Sequence, residues 1–170
     1  LSSSLDEIVD TVKPNIVFHL AAYGALPSQK VTIEDLVATN LNGLTCLLTS
    51  VKRYPLDLFV NTGSSSEYGN KDTSMKESDM LQPINDYGVS KAAATLYAQK
   101  IALTEGLPIV TLRLFSPYGY GDDAKRVIPF VISQALHNKP IALSSKDNVR
   151  DFIFIEDIID AYLQTVHSKI

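Results

Sequence analysis

The chain has 170 residues, of which 45% are hydrophobic and 20% are charged, and its formal net charge at pH 7 is −4. This composition is ordinary for a soluble globular protein that is long enough for one sizeable core. The negative charge argues against nucleic acid as the main partner, because a phosphate backbone requires a basic surface. No apolar stretch has the length of a membrane span, so we expect no membrane partner. One cysteine, Cys46, and the lack of a signal-like start favour a cytoplasmic location.

Helical and apolar segments alternate along the chain. We predict helices over residues 4–13, 32–54, 86–105, 127–137 and 156–166, strands over 15–22, 56–61, 107–114 and 140–143, and a further extended segment at 151–155. A capping box over residues 4–7 would open the first helix, and Gly106 would end the third. Strands that alternate with helices of this length indicate right-handed βαβ units, so the predicted fold class is α/β with a parallel sheet.

The expected place for a ligand is the edge of the sheet at the carboxyl ends of the strands. Residues 21–22 form the end of a predicted strand, and residues 62–66 and 115–118 directly follow one. We therefore expect these three segments to meet at one edge. The polar stretch 62–85 has little periodicity, and a loop of this length in a compact chain is usually functional.

A tyrosine and a lysine lie four residues apart in Asp86-Tyr87-Gly88-Val89-Ser90-Lys91, at the start of a helical pattern. Positions i and i+4 share one face of a helix. An ammonium beside a phenol stabilises the phenolate, and a tyrosine tuned in this way can pass a proton to or from a sugar or alcohol oxygen. The spacing alone is weak, but a hydroxyl-rich turn (NTGSSSEYG, 61–69) lies upstream, directly after an apolar strand.

Taken in chain order, these motifs resemble the extended short-chain dehydrogenase/reductases, also called NAD-dependent epimerase/dehydratases of nucleotide sugars. His19-Leu20-Ala21-Ala22 resembles the family's strand end beneath the cofactor, and Asn40 resembles a helix asparagine that supports the active site. Residues 113–119 (RLFSPYG) resemble Arg-x-x-Asn-x-Tyr-Gly, with Ser116 in place of the asparagine. Residues 150–157 (RDFIFIED) resemble the family's Arg-Asp-Phe-Ile-x-x-x-Asp segment, which lies near the nucleotide diphosphate. Several motifs in the right order make the resemblance specific.

The resemblance implies a Rossmann-type doubly wound sheet, NAD or NADP as cofactor, a nucleotide-sugar substrate and no metal. Tyr87 would be the general acid/base at the sugar oxygen, Lys91 would lower its pKa and bind the nicotinamide ribose, and Ser64 would hold the same sugar oxygen. The predicted cofactor-binding residues are Ala21, Ala22, Asn40, Thr62, Tyr87, Lys91, Phe115 and Pro117. The predicted substrate-binding residues are Ser65, Ser66, Glu67, Ser116 and Arg150.

Some of these residues also have a purely structural interpretation. His19 lies in an apolar strand, which favours a satisfied core histidine over a proton carrier. Glu67 is evenly balanced between a substrate contact and a solvated loop. Arg150 favours a phosphate contact over a surface ion pair, since a guanidinium is a forked donor that suits a diphosphate.

The family's phosphate-binding Gly-x-x-Gly-x-x-Gly is absent, so we interpret the chain as truncated at both ends. Residues 1–125 would be the C-terminal portion of the dinucleotide-binding domain with the catalytic residues, and 126–170 the start of the substrate-binding portion. NAD versus NADP stays open, because the residue that reads the ribose 2′ position follows an absent strand. The resemblance also implies a possible homodimer through helices 32–54 and 86–106.

Ser65 and Ser66 argue against a dehydratase. They occupy the positions where sugar 4,6-dehydratases of this family have acidic residues after the catalytic threonine. Elimination of water needs an acid and a base beyond the tyrosine. The sequence therefore favours a 4-ketoreductase or an epimerase. A 4,6-dehydratase is the first alternative, and a non-catalytic protein that senses a dinucleotide is the second.

Overall fold

The computed structural model describes residues 2–26, 31–143 and 149–168. The helices are α1 (Ser2–Val12), α2 (Ile33–Leu36), α3 (Gly43–Val51), α4 (Asp86–Glu105), α5 (Val127–Leu136) and α6 (Ile155–His167), with a π-helical turn (Val37–Asn42) and a 3-10 turn (Ser65–Glu67). The strands are β1 (Ile16–His19), β2 (Leu58–Ser64), β3 (Ile109–Leu114), β4 (Pro117–Tyr118) and β5 (Ile153–Phe154). Within these residues, no helix is both long enough and apolar enough to cross a membrane.

The chain forms two compact units, Leu1–Arg113 with Ser168–Ile170 and Leu114–His167. In the larger unit the strand order is β1-β2-β3, and β1 pairs with β2 in parallel, from Ile16 opposite Leu58 to His19 opposite Asn61. In the smaller unit β4 and β5 form a second parallel pair. Parallel strands joined by helices confirm the predicted α/β class.

The core of the larger unit lies between the sheet and three helices. Its side chains are at most 4% exposed and come from α1, α3, β2 and α4: Val9, Leu44, Leu48, Val51, Phe59, Ala94, Ala98 and Ile101. Ala94 and Ala98 are one helical turn apart, and their small side chains let α4 approach the sheet closely. Removing the Phe59 ring would cost about 3–5 kcal/mol, because the cavity could not refill.

Helix α4 follows the sequence prediction closely. The side chain of Asn85 accepts a hydrogen bond from Gly88 N at 2.7 Å and caps the first turn. At the other end Gly106 has a φ of 68°, the left-handed conformation that ends many helices, so its predicted role as C-cap is confirmed. Both the Asn85 cap and Gly106 are local signals, because each lies within one turn of the helix end that it defines.

The helix predicted over residues 32–54 is not continuous. Thr32 caps α2 by accepting a hydrogen bond from Asp35 N at 3.2 Å, but the π-helical turn Val37–Asn42 interrupts the α-helical pattern before α3. Such turns are rare and are often found at functional sites. The hydrophobic spacing did not indicate this one.

Three local predictions are wrong. Helix α1 begins at Ser2, so the capping box predicted over residues 4–7 lies inside the helix. Residues 140–143 do not form a strand; they are exposed, and Pro140 has no N–H to donate to a neighbouring strand. Strand β2 continues to Ser64 instead of ending at Asn61. Ser64 is therefore held in the sheet and does not lie in a loop beyond it.

Candidate active site

Ser64 is the last residue of β2 and caps the 3-10 turn that follows. Its Oγ accepts a hydrogen bond from Ser66 N at 3.2 Å, and its own N–H donates to Glu67 Oε1 at 2.7 Å. The two bonds together form a capping box. The local sequence thus sets the orientation of Ser64, because a residue three positions later closes the turn on it.

The first turn of α4 lies against this 3-10 turn. A Cβ at Gly88 would be 2.5 Å from the carbonyl oxygen of Ser66, so only glycine fits there. Tyr87, which directly precedes Gly88, is half-buried. A Cβ at Gly24, in the loop after β1, would be 3.6 Å from Cδ2 of the Tyr87 ring. The loop after β1, the end of β2 and the start of α4 therefore meet around Tyr87.

Lys91 lies one helical turn beyond Tyr87 and is only 2% exposed. Its Nζ donates to the backbone oxygen of Thr62 at 2.6 Å, which joins α4 to β2. Burial lowers the pKa of Lys91 below its ordinary value, and the charge of Glu67 opposes that decrease. Thr62, a predicted cofactor-binding residue, thus turns its carbonyl towards the lysine.

Asn40 connects two of these segments from the π-helical turn. Its Nδ2 donates to Ser90 Oγ at 2.9 Å and to the oxygen of Tyr23 at 3.1 Å, and its Oδ1 accepts from Tyr23 N at 2.8 Å. Ser90 Oγ in turn donates to the oxygen of Tyr87 at 2.8 Å. Both amide hydrogens of the buried Asn40 are used inside the protein. These bonds join the π-helical turn to the loop after β1 and to α4, and the predicted contact of Asn40 with the cofactor stays a prediction.

The prediction for Glu67 has to be corrected, because its side chain is completely buried. One carboxylate oxygen accepts from Ser64 N, and the other accepts from Arg113 Nε at 2.9 Å. The predicted substrate contact is wrong, and so is the alternative of a solvated loop. The physical reason is a partner on β3: the guanidinium of Arg113 neutralises the carboxylate, and this makes burial possible.

Sequence reasoning missed this pair. The motif of residues 113–119 includes Arg113 but does not indicate its partners: the guanidinium also donates to Tyr68 Oη at 2.9 Å and lies 4.9 Å from the centroid of the Tyr68 ring. A signal was present: one acidic residue lies in an otherwise neutral turn, and one arginine lies in an apolar strand. Charged residues in such surroundings are almost never buried unless they are paired.

His19 is 7% exposed, and its Nδ1 lies 3.3 Å from Asn61 Oδ1 on the paired strand. Asn61 Nδ2 in turn donates to Thr111 Oγ1 at 3.3 Å. Burial lowers the pKa of His19; the hydrogen bond with Asn61 opposes the decrease and the charge of Lys91 adds to it. These contacts support the interpretation of His19 as a satisfied core histidine.

The remaining predicted residues fall into both units. Ala21 and Ala22 are exposed in the loop after β1, and Ser65 and Ser66 are half-buried in the 3-10 turn, all in the larger unit. Phe115, Ser116, Pro117 and Arg150 belong to the smaller unit. Ser116 has a φ of 29°, which few residues other than glycine adopt. Arg150 is exposed, with Nη1 3.4 Å from the oxygen of Val149. Cofactor and substrate contacts of these residues stay predictions.

Comparison with known proteins shows the family. The chain matches the model of the NAD dependent epimerase/dehydratase family over residues 2–169 and therefore belongs to that family. This confirms the resemblance drawn from the motifs. This family consists of enzymes of the extended short-chain dehydrogenase/reductase type.

Individual relatives match at moderate identity. The chain is 30% identical over 161 residues to an uncharacterised UDP-glucose epimerase of Bacillus subtilis (strain 168), covering 94% of this chain and 50% of that protein. It is 29% identical over 174 residues to a dTDP-D-glucose 4,6-dehydratase of Dictyostelium discoideum, covering 95% of this chain and 40% of that protein. The chain thus spans about half the length of the curated relatives that it matches.

A solved structure matches the fold. The UDP-glucuronic acid 4-epimerase from Bacillus cereus, in complex with UDP-glucuronic acid and NAD, has a TM-score of 0.85 and 28% sequence identity. The match covers 99% of this chain and 54% of that one. A Rossmann-type fold, predicted from the alternation of strands and helices and from the resemblance, is thereby confirmed.

Proposed function

We propose that the chain carries the catalytic residues of an NAD(P)-dependent enzyme that epimerises nucleotide sugars or reduces their 4-keto forms. The observation that carries this proposal is the arrangement in the larger unit, where the segments bearing Ser64, Tyr87 and Lys91 meet. The hydrogen bond from Lys91 to Thr62 and the contact of Gly88 with Ser66 hold these segments together.

The proposed acid/base is Tyr87. In the oxidative direction its phenolate takes the proton of a sugar hydroxyl while the hydrogen on the same carbon leaves as hydride. In the reductive direction the phenol returns the proton to the carbonyl oxygen. NAD or NADP, when bound, supplies the acceptor and donor of that hydride. The buried ammonium of Lys91 lies one turn away on α4, where it would stabilise the phenolate.

The donors at the site fit both the sugar and a dinucleotide. Ser64 Oγ accepts from Ser66 N, so its own O–H hydrogen can be donated to the sugar oxygen. An ammonium has three hydrogens, and among the described residues Thr62 takes one of those of Lys91. The others are available for the hydroxyls of a ribose. This donor set matches the roles that the resemblance implies.

A ketoreductase or epimerase fits better than a dehydratase. Relatives of both kinds match the chain, so their names do not decide the reaction. The positions after Ser64 hold Ser65 and Ser66, which cannot supply a carboxyl group. Glu67, the nearest acid along the chain, is buried and paired with Arg113, so it cannot act on a substrate. An additional acid/base pair for elimination of water is therefore not found in this turn.

Three further contacts are part of the proposal. Ala21, Ala22, Phe115 and Pro117 would border the cofactor, and Arg150 would bind the diphosphate of the substrate. A homodimer would form through residues 32–54 and 86–106. Three exposed apolar side chains of α4 support it, because they repeat every seven residues and so stay near one face: Val89, Leu96 and Leu103.

The test uses purified protein with UDP- and dTDP-sugars and NAD⁺ or NADP⁺, and with their 4-keto forms and NADH or NADPH. Products are identified by NMR. Tyr87→Phe should lower kcat by about a thousandfold, since proton transfer by a positioned group contributes about 10²–10⁴. Tyr97→Phe makes the same change in the same helix and should leave kcat unaltered. Unchanged turnover in Tyr87→Phe and Ser64→Ala would refute the assignment. Tight dinucleotide binding with no turnover of any sugar nucleotide would favour the sensor.

A further inference from the structure

We propose that the ion pair of the buried Glu67 with Arg113 is the positioning element of this site, holding Ser64 in place and keeping a negative charge near the buried ammonium of Lys91. The inference rests on the proposed catalytic roles of Ser64 and Lys91. Neither Glu67 nor Arg113 would touch the substrate. Each would act through a neighbour.

The carboxylate of Glu67 divides its two oxygens between two partners. Oε1 accepts from the backbone N–H of Ser64 at 2.7 Å, and Oε2 accepts from Arg113 Nε at 2.9 Å. No carboxylate surface faces solvent. Because a charge-assisted bond is short and directional, the position of Ser64 depends on where Arg113 holds the carboxylate.

The pair has no room to shift. A Cβ at Gly63 would be 2.8 Å from Glu67 Oε1 and 2.9 Å from Arg113 Cγ, so the pair packs directly on the bare backbone of β2. Arg113 is fixed a second time by its bond to Tyr68 Oη and its stacking on the Tyr68 ring. Burial lowers the pKa of Arg113, but its bonds to Glu67 and Tyr68 outweigh this and hold the pKa above its ordinary value. The guanidinium is thus a permanent cation beside β2.

Glu67 and Lys91 bind the same stretch of β2: Glu67 Oε1 accepts from Ser64 N at 2.7 Å, and Lys91 Nζ donates to the backbone oxygen of Thr62 at 2.6 Å. The charge of Glu67 opposes the effect of burial on the pKa of Lys91. His19, on β1, is a titratable group whose pKa is lowered further by the charge of Lys91.

With Glu67 in place, the buried Lys91 and the partly buried Arg113 share one anion. Without it, neither cation would have that compensating charge. Lys91 would then lose its proton at lower pH, and the phenolate of Tyr87 would lose its stabilising charge.

Glutamine at position 67 removes the negative charge and keeps one acceptor oxygen, as a capping box allows. The other oxygen becomes an NH₂ group, which cannot accept a hydrogen bond. The amide of Glu67→Gln therefore cannot accept from both Ser64 N and Arg113 Nε, so Ser64 is no longer tied to Arg113. The double variant Glu67→Gln/Arg113→Met removes both charges and avoids an unpaired guanidinium, so it remains informative if the single variant folds poorly.

The matched control is Glu105→Gln. Glu105 is also an ion-paired glutamate of the larger unit, 3.0 Å from Lys52 Nζ, but it lies at the far, solvent-exposed end of α4. Three readouts are compared: hydrogen exchange of the Ser64 amide, titration of Lys91 by ¹³Cε NMR with Lys91→Met as the assignment, and the pH profile of kcat and KM. The first two need no substrate.

We expect Glu67→Gln to lower kcat about tenfold to a hundredfold with KM changed less than about twofold, because a misplaced Ser64 and a weakened Lys91 affect mainly the transition state. The alkaline limb of the kcat profile should move to lower pH, and the ¹³Cε titration of Lys91 should move with it in both variants. The Ser64 amide should exchange faster. Glu105→Gln should match the parent protein in all three readouts.

The inference is overturned if both variants at position 67 keep the parent Ser64 exchange rate and the parent Lys91 titration. A fall in kcat with those two readouts unchanged would also overturn it. If Tyr87→Phe and Ser64→Ala retain turnover, the proposed function fails. The two substrate-free readouts still decide whether Glu67 and Arg113 position Ser64 and Lys91.

Discussion

Gly88 lies directly against the backbone carbonyl of Ser66: a Cβ at position 88 would be only 2.5 Å from that oxygen. The contact joins the first turn of the helix that carries Tyr87 and Lys91 to the turn that begins at Ser64. Both partners are main chain, so neither can swing aside as a long side chain could. The spacing between the proposed acid/base and the proposed sugar-binding hydroxyl depends on this contact.

Replacing Gly88 with alanine should therefore separate the two segments. We expect Gly88→Ala to lower the free energy of unfolding by about 1–3 kcal/mol, as overpacking usually does, and to reduce kcat. Gly43→Ala is the matched control, because its nearest atom would be 4.0 Å away in an α-helix. There alanine should stabilise by about 0.5–1 kcal/mol. Urea unfolding measures both; equal effects would contradict the close contact.

The buried charge of Lys91 lowers the stability of the folded protein. Because burial lowers its pKa below the ordinary value of 10.5, the unfolded chain binds more protons between the two values, and stability rises with pH across that window. Lys91→Met should thus be more stable than the parent at pH 7, by about 1 kcal/mol, while losing activity. The difference should shrink as the pH approaches 10.5. Chemical unfolding at several pH values measures it; a destabilised variant at pH 7 would contradict the argument.

His19 should make the protein sensitive to acid. Its pKa is lowered in the folded state, mainly by burial, from the ordinary value of 6.5. Between the folded-state pKa and 6.5, His19 is protonated in the unfolded chain but neutral in the folded protein. The free energy of unfolding therefore falls as the pH decreases through that window. His19→Asn should lose less stability than the parent between neutral pH and the acid side of the window. His137→Asn, at an exposed position, should keep the parent profile.

The apolar face of α4 predicts association. Leu96 and Leu103 are 55% and 86% exposed, seven residues apart. If this face forms the proposed homodimer, Leu96→Lys/Leu103→Lys should shift the mass measured by light scattering from dimer to monomer. Leu163→Lys changes a similarly exposed leucine of α6 and should leave the mass unchanged. A parent protein that is monomeric at all concentrations would exclude this interface.

Ser116 occupies the position where the motif usually has asparagine, and its φ is 29°. Asparagine is enriched several-fold at positive φ, whereas serine is not among the residues enriched there. Ser116→Asn should therefore raise the free energy of unfolding by about 0.5 kcal/mol through reduced backbone strain. Ser133→Asn, at an exposed position of α5, should be neutral or slightly unfavourable. A destabilising Ser116→Asn would show that the serine hydroxyl has a role of its own.

The sequence by itself determined much of the framework. The alternation of apolar strands and helices predicted the parallel α/β fold, and the bounds of α4 followed from local signals at each end, completed by Gly106. The placement of Tyr87 and Lys91 one turn apart required only helical periodicity. These features succeed because caps, turns and periodicity depend on residues within a few positions of each other.

The tertiary structure alone decided what surrounds those residues. Glu67 meets Arg113 across 46 positions, and Asn40 meets Ser90 across 50. A glutamate in a polar turn is therefore buried, and the amide of Asn40 makes its hydrogen bonds inside the protein. Whether a charged side chain is solvated or paired depends on which strand packs beside it. A local pattern can indicate that an isolated charge needs a partner, as for Glu67 and Arg113, but it does not identify the partner, because the two residues come close only when the chain folds.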